Sequence, residues 1–230
     1  MKVLAIDTSS YVMGIAIIDE SNVIGEMITN LKKNHSVRVM PAIKSLLEEC
    51  DIKPQELEKI VVAKGPGSYT GVRIGVTIAK TLAWSLNIPL VGVSSLEVVA
   101  MNGRYFAGVI SPLFDARRGQ IYTGLYDYQN ESLGSVEKDQ IILVSDWAQM
   151  LKKREDKVLF IGNDLAIHKG LLADTLQDQA MFSPITEYNA KPSELAYLGM
   201  NKEPDDIHSF VPNYIRLAEA EAKWLASQRG

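Results

Sequence analysis

Two stretches hold residue types from which a ligand site could be built. The first is Asp7-Thr8-Ser9, directly after the apolar run Val3-Leu4-Ala5-Ile6. A carboxylate at a strand end can anchor Mg²⁺ while hydroxyl and backbone donors meet phosphate. The alternative is that the same three side chains close a tight turn. The second stretch, Gly65-Pro66-Gly67-Ser68-Tyr69-Thr70-Gly71, follows Ile60-Val61-Val62-Ala63. It opens a helix, and a helix N-terminus favours anions. It lacks the lysine of a P-loop, however, and glycines at 65, 67 and 71 do not have the dinucleotide spacing. A structural turn is the better reading.

Other chemistry is sparse. Asp115 with Arg117 and Arg118 offers an anionic-ligand or partner contact, or equally a set of solvated hairpin charges. His35, His168 and His208 are scattered, with no His/Glu pair at ligand spacing, so no metal site is expected. Ser68 has no histidine in a recognisable relation to it, and no catalytic residue emerges. Cys50 reads as a small apolar residue near a helix end, and Lys152-Lys153-Arg154 as a solvated helix end.

The elements that must position these groups begin with strands at 3–6, Val12–Ile18 and Val23–Thr29, an antiparallel meander. A helix over about 35–50 follows, with a late start or kink at Pro41. Then come a strand at 60–63, the glycine loop, a helix capped by Ser68 or Thr70, a strand at 90–93 and a short helix from Ser94 or Ser95. In the helix to Leu86, Gly71, Gly75, Ala79 and Ala83 recur every fourth position and form a smooth ridge, while Ile74, Ile78 and Leu82 cover other faces. A helix apolar nearly all round should be buried on more than one side. One side is its own sheet; the ridge is expected to take a second helix, from this chain or another protein.

Strands at 108–114 and 121–126 hinge at 115–120, and Ile141–Val144 and Val158–Ile161 flank a helix near 146–152. This degraded echo predicts an α/β fold of two ribonuclease-H-like lobes, mixed sheets flanked by helices, over 1–102 and 103–230. A final helix, about 217–228, carries Trp224 and Leu225 and needs an apolar surface, which the first lobe could supply.

The composition allows real cores and argues against gripping nucleic acid alone. Of 230 residues 47% are hydrophobic, and the net charge is −4. One cysteine excludes an internal disulfide framework and fits a reducing cytoplasm. The longest apolar region, 74–93, contains Lys80 and Pro89 and is no membrane span.

The Asp7-Thr8-Ser9 turn resembles the first phosphate-binding hairpin of the actin/Hsp70/sugar-kinase (ASKHA) superfamily. Together with His35-Ser36, the 65–75 loop and helix start, Val93-Ser94-Ser95-Leu96-Glu97, Asp115-Ala116-Arg117-Arg118 and Pro212-Asn213-Tyr214-Ile215-Arg216, it closely resembles the bacterial TsaB (YeaZ) family. The match is dense to about residue 126 and thin from 130 to 190.

The resemblance implies a scaffold for TsaD, a metal-containing catalytic subunit, and TsaE, an ATPase. Together they make the N6-threonylcarbamoyl group on the adenosine 3′ of the anticodon in tRNAs reading codons that begin with A. It implies no cofactor of the chain's own, at most weak ATP or ADP at a partner interface, and contact with tRNA only through the complex. TsaD-like proteins carry a His-x-x-x-His metal pair where this chain has Ser95 and Val99, and valine cannot ligate metal. First-lobe helices would meet TsaD, or a second copy when TsaD is absent, through Val39, Met40, Ile43, Gly71, Ile74, Gly75, Ile78, Ala79, Leu82 and Ala83. A small ATP-dependent kinase using Asp7, Thr8 and Ser9 is the competing expectation, and a peptidase a weaker one.

Overall fold

A computed structural model describes residues 1–215. The expected helix at 217–228 lies outside the described residues. Strands β1 (Val3–Asp7), β2 (Val12–Ile18) and β3 (Val23–Asn30) form the antiparallel meander. Helix α1 (Val39–Glu49) leads to β4 (Lys59–Ala63), α2 (Tyr69–Leu86), β5 (Leu90–Val93) and α3 (Ser95–Ala100). Pro41 falls in the first turn of α1, where a missing N–H costs nothing, so the helix starts late instead of kinking. β4 lies parallel to β1, and β5 parallel to β4, giving the order β3-β2-β1-β4-β5.

The same order recurs. Strands β6 (Val109–Asp115), β7 (Gln120–Gln129) and β8 (Ser132–Leu143) form a second meander, followed by α4 (Val144–Lys152), β9 (Val158–Ile161), α5 (Leu165–Leu176), β10 (Ala180–Phe182) and α6 (Pro192–Met200). The second sheet runs β10-β9-β6-β7-β8. Both lobes are therefore ribonuclease-H-like, and both first strands end in an aspartate, Asp7 and Asp115.

Each lobe lends a helix to the other. The outer face of the first sheet packs on α1 and α2 around Leu4, Ile6, Ile15, Ile43 and Val76. Its inner face is covered by α6, which presses close enough that a Cβ on Gly199 would meet a Val61 methyl at 2.3 Å. In return α3 lies on β6 and β7, and Leu96, Val99, Ile110, Phe114, Leu195 and Met200 share one core across the junction. Beyond α6 the chain runs along the β5 edge: Asp205 N–H donates to the Leu90 carbonyl, and buried Phe210 packs over Gly92. This strap satisfies an edge that would otherwise present unpaired backbone groups.

Candidate functional site

The glycine loop is locked onto the β1–β2 hairpin. The Ser68 N–H donates to the Ser9 carbonyl at 2.7 Å, and the Thr8 hydroxyl donates to the Gly71 carbonyl at 2.7 Å. A Cβ on Gly67 would lie 2.2 Å from the Ser9 carbonyl oxygen, so only glycine permits this approach. The Gly65–Pro66 peptide is cis. Ser68 caps α2 by accepting from the Gly71 N–H, as its position predicts.

The hairpin's polar groups are turned inward, with Asp7 Oδ2 and His35 Nδ1 buried and without a hydrogen-bond partner among the described residues. Asp7, Thr8 and Ser9 are all buried, and the Asp7 Oδ1 accepts from the Ser9 N–H at 2.8 Å. Burial pushes the Asp7 carboxyl up from the ordinary carboxylate range, against the opposing pull of the Ser9 hydrogen bond. His35 spends its Nε2 on the Ser10 carbonyl at 2.8 Å. The Asp7-Thr8-Ser9 turn is thus a structural junction closed by its own loop. The three residues expected as a vestigial phosphate site lie buried, with the Thr8 hydroxyl and the Ser9 N–H bonded within the chain.

The adjoining cleft between the lobes is also filled. Pro66, Gly67 and Val72 from the first lobe, Tyr122 from the second, and Tyr214 and Ile215 from the end of the strap leave about 30 Å³. That holds water, whereas small-molecule pockets run to about 300–1,000 Å³. The Tyr214 ring packs at a tilt of 33° on that of Tyr69, with centroids 5.2 Å apart. Ser95 is fully buried, its hydroxyl accepting from the Gly65 N–H at 3.1 Å while its N–H donates to the Gly65 carbonyl. Val99 is fully buried in the interlobe core. Among the described residues, no group of three or more histidine, cysteine or acidic side chains is placed to hold a metal ion.

In the second lobe the matching hairpin exposes its turn at Arg117, Arg118 and Gly119. Asp115 accepts from buried His168 Nε2 at 3.0 Å, while its N–H donates to Asp164, the residue preceding α5. Arg117 and Arg118 adopt left-handed backbone angles on the exposed turn. Nearby, at the lobe junction, Asp139 of β8 accepts from the hydroxyls of Ser94, the α3 N-cap, and Tyr126 of β7. Burial raises the Asp139 carboxyl above its ordinary range. No sequence signal marks this clasp, because its three members come from separate elements.

The ridge on α2 does not face outward. A Cβ on Gly71 would sit 2.1 Å from the Thr8 carbonyl, one on Gly75 2.4 Å from the Thr8 hydroxyl, and Ala79 and Ala83 are fully buried. Small residues are required there so that α2 can settle on its own hairpin and sheet. This corrects the expected partner surface: Val39, Ile43, Gly71, Gly75, Ala79 and Ala83 belong to the chain's own core. Met40, Ile74, Ile78 and Leu82 remain at the surface, Met40 43% exposed and the other three partly so.

What α2 offers instead is a groove along its outer side. Ser36, Tyr69, Thr70, Arg73, Ile74, Thr77 and Ile78 line an open, mostly apolar channel of about 440 Å³. Ser36, which lines it, is followed by Val37, 68% exposed, ahead of α1. Arg73 lies over the Tyr69 ring and donates to its hydroxyl at 2.7 Å. Of the expected contact residues, Ile74 and Ile78 line this groove, whereas Gly71, Gly75, Ala79 and Ala83 lie on the buried side of the helix. Periodicity says which residues share a face, not which way the face points. The hydroxyl of Thr8, two residues before Ser10 in a polar turn, is what claims the glycines.

Comparison with known proteins fits this geometry. The family model for TsaD, tRNA N6-adenosine threonylcarbamoyltransferase, matches residues 22–224. The tRNA threonylcarbamoyladenosine biosynthesis protein TsaB of Bacillus subtilis is 60% identical over 229 residues, covering 100% of both chains. A Pseudomonas aeruginosa structure, described as similar to peptidase YeaZ, superposes with a TM-score of 0.78 at 21% identity, covering 94% of this chain and 99% of that one. The ethanolamine utilization protein EutJ of Carboxydothermus hydrogenoformans reaches 0.51 at 12% identity, covering 86% and 90%. These structural likenesses are of fold: two mixed sheets flanked by helices.

Proposed function

The chain belongs to the TsaB family of tRNA threonylcarbamoyladenosine biosynthesis proteins, and we propose from that premise that it is a non-catalytic scaffold subunit. It acts with TsaD, the catalytic subunit, and TsaE in forming the N6-threonylcarbamoyl group on the adenosine 3′ of the anticodon. The observation that carries this is the end-to-end 60% identity to the B. subtilis protein. The site geometry supports the scaffold part. Ser95 and Val99, at the positions of the TsaD metal pair, are committed to the glycine loop and the core. The hairpin that would hold nucleotide phosphates is shut by that loop.

The groove along the outer side of α2 is the docking face. An apolar channel bordered by one arginine suits a partner helix lying across it. TsaD occupies it in the working complex, and a second copy of this chain in its absence. The protein works in the cytoplasm without a cofactor of its own, any ATP or ADP binding weakly at the partner junction, and tRNA reaches it only through the complex. A kinase would need Asp7, Thr8 and Ser9 accessible, and they are buried. A peptidase would need a base beside Ser68, whereas His35 is bonded to Ser10 and His168 to Asp115.

Depleting the protein and analysing tRNA nucleosides tests the function: the threonylcarbamoyl modification should disappear, and its persistence would overturn the assignment. Thr77→Arg, on the exposed rim of the groove, should abolish co-purification with TsaD while leaving the unfolding temperature unchanged.

A further inference from the structure

We propose that the loop joining β3 to α1, with Tyr11 at the start of β2, is a contact surface for RNA: Lys32 and Lys33 meet backbone phosphates and the Tyr11 ring meets a base. The surface is argued from the loop itself; that the RNA is a tRNA rests on the scaffold reading above.

The charge is unusually one-sided. From Met27 to Leu47 the sequence has no acidic residue, yet it carries Lys32, Lys33, Arg38 and Lys44, in a chain of net charge −4. Lys32 and Lys33 are both exposed. Among the described residues neither meets a carboxylate; Lys32 lies over the Tyr11 ring, its Nζ 5.4 Å from the centroid. Lysines left without a carboxylate are the groups with which proteins neutralise phosphates.

Strand register sets the ring beside the lysines. Val12 of β2 pairs with Asn30 of β3 at the end of the ladder, so Tyr11 and Leu31 continue the two strands side by side. Both are exposed, Tyr11 at 60% and Leu31 at 44%. The loop is tied down at several points. Arg38 Nη2 donates to the Thr29 hydroxyl at 2.6 Å, the Ser36 N–H donates to Asn34 Oδ1 at 3.0 Å, and His35 holds the Ser10 carbonyl. A surface fixed before binding loses little entropy when a ligand arrives.

Cations that follow a backbone, beside a ring on which a base can stack, are the pattern of single-stranded nucleic-acid recognition. An acidic polypeptide would use the lysines and leave the ring idle. Two lysines also fall short of the roughly four to eight that hold a protein to an anionic membrane. They are too few to grip RNA unaided, which agrees with the acidic net charge. Position supplies the rest. Ser36, three residues beyond Lys33, lines the α2 groove, so the patch borders the docking face. An RNA held by the partner would pass onto it, and the unpaired bases of a loop are the kind that stack on tyrosine.

Titrating labelled tRNA into the complex of this chain with TsaD, at about 50 and about 200 mM salt, tests the proposal. Lys32→Glu with Lys33→Glu should weaken binding about tenfold at the lower salt. It should also flatten the slope of log K against log[salt] by about 1.5, two phosphates at about 0.7–0.9 each. Tyr11→Ala should weaken binding about fivefold or more with the slope unchanged. Lys152→Glu on α4 is the control and should change neither. All these variants alter exposed side chains, so unfolding temperature and co-elution with TsaD should match the wild type. Unchanged affinity in either the lysine or the tyrosine variant would overturn the proposal. So would equal competition by poly-glutamate, which would name an acidic protein as the occupant. If the chain and TsaD do not associate at all, the scaffold reading fails, and the same titration on the chain alone at about 50 mM salt decides the surface. Weaker binding by the lysine variant then upholds it, and equal binding overturns it.

Discussion

Replacing Gly75 by alanine puts the packing of α2 to a direct test, because two effects of known size oppose each other there. In an unencumbered helix the change should stabilise by about 1 kcal/mol through helix propensity. Here the new Cβ would lie 2.4 Å from the Thr8 hydroxyl oxygen, closer than any real contact, while that hydroxyl is held by its 2.7 Å bond to the Gly71 carbonyl. Overpacking costs about 1–3 kcal/mol, and the displaced hydrogen bond about 1 kcal/mol more. Net destabilisation of about 1–3 kcal/mol is expected, read as a fall in Tm at about 2–4 °C per kcal/mol for a chain of this size. Gly170→Ala in α5 is the internal control. Nothing lies within 4 Å of a Cβ there, so the same substitution should raise Tm. Thr8→Ala combined with Gly75→Ala should recover part of the loss, since the clashing oxygen is gone. If Gly75→Ala raised Tm as Gly170→Ala does, the ridge could not be seated on Thr8, and an outward-facing ridge would be restored.

Two further outcomes follow from buried polar groups. Ser95→Ala strands the Gly65 N–H in the interior and should cost about 1–3 kcal/mol in urea unfolding, with the hydroxyl's 3.1 Å bond as its cause; an unchanged midpoint would show that the loop is held by other contacts. Asp139 binds its proton more tightly folded than unfolded, so its contribution favours the native state at low pH and is lost as pH rises through its raised folded value. Relative to Asp139→Asn, the wild type should therefore gain stability on acidification from neutrality toward pH about 4, measured by thermal unfolding at a series of pH values; a flat difference would refute it.

Most of the first lobe was legible because its strands are apolar runs bounded by turn residues, and its helices are capped where Ser68 and Ser94 stand. The second lobe was legible only in outline. β8 begins at Ser132, nine residues before the expected Ile141, and reads as Ser-Leu-Gly-Ser-Val-Glu-Lys-Asp-Gln before its apolar end. An edge strand paired through irregular register with β7 needs no alternation, so none is written in it. α5 is apolar on nearly every side and interrupted by His168 and Gly170, which hides its period. α6 is short, and its Pro192 reads as a breaker although it occupies the first turn. The site suffered from a different gap. Gly71 and Gly75 were correctly singled out as a surface of close approach, but the partner across that surface is Thr8, more than sixty residues earlier in the chain.

The reciprocal loan of α3 and α6 has a mechanical consequence. In a two-lobed machine that works by opening and shutting, the inner surfaces must part without wetting much oil. Here each inner surface wears the other half's helix, with Leu96 and Val99 sunk against Ile110 and Phe114, and Leu195 and Met200 against the first sheet. Prying the halves apart would flood both layers at once, so the seam behaves as a weld and not as a hinge. A body so joined transmits no stroke of its own; what it can offer a moving neighbour is a stiff wall to push against.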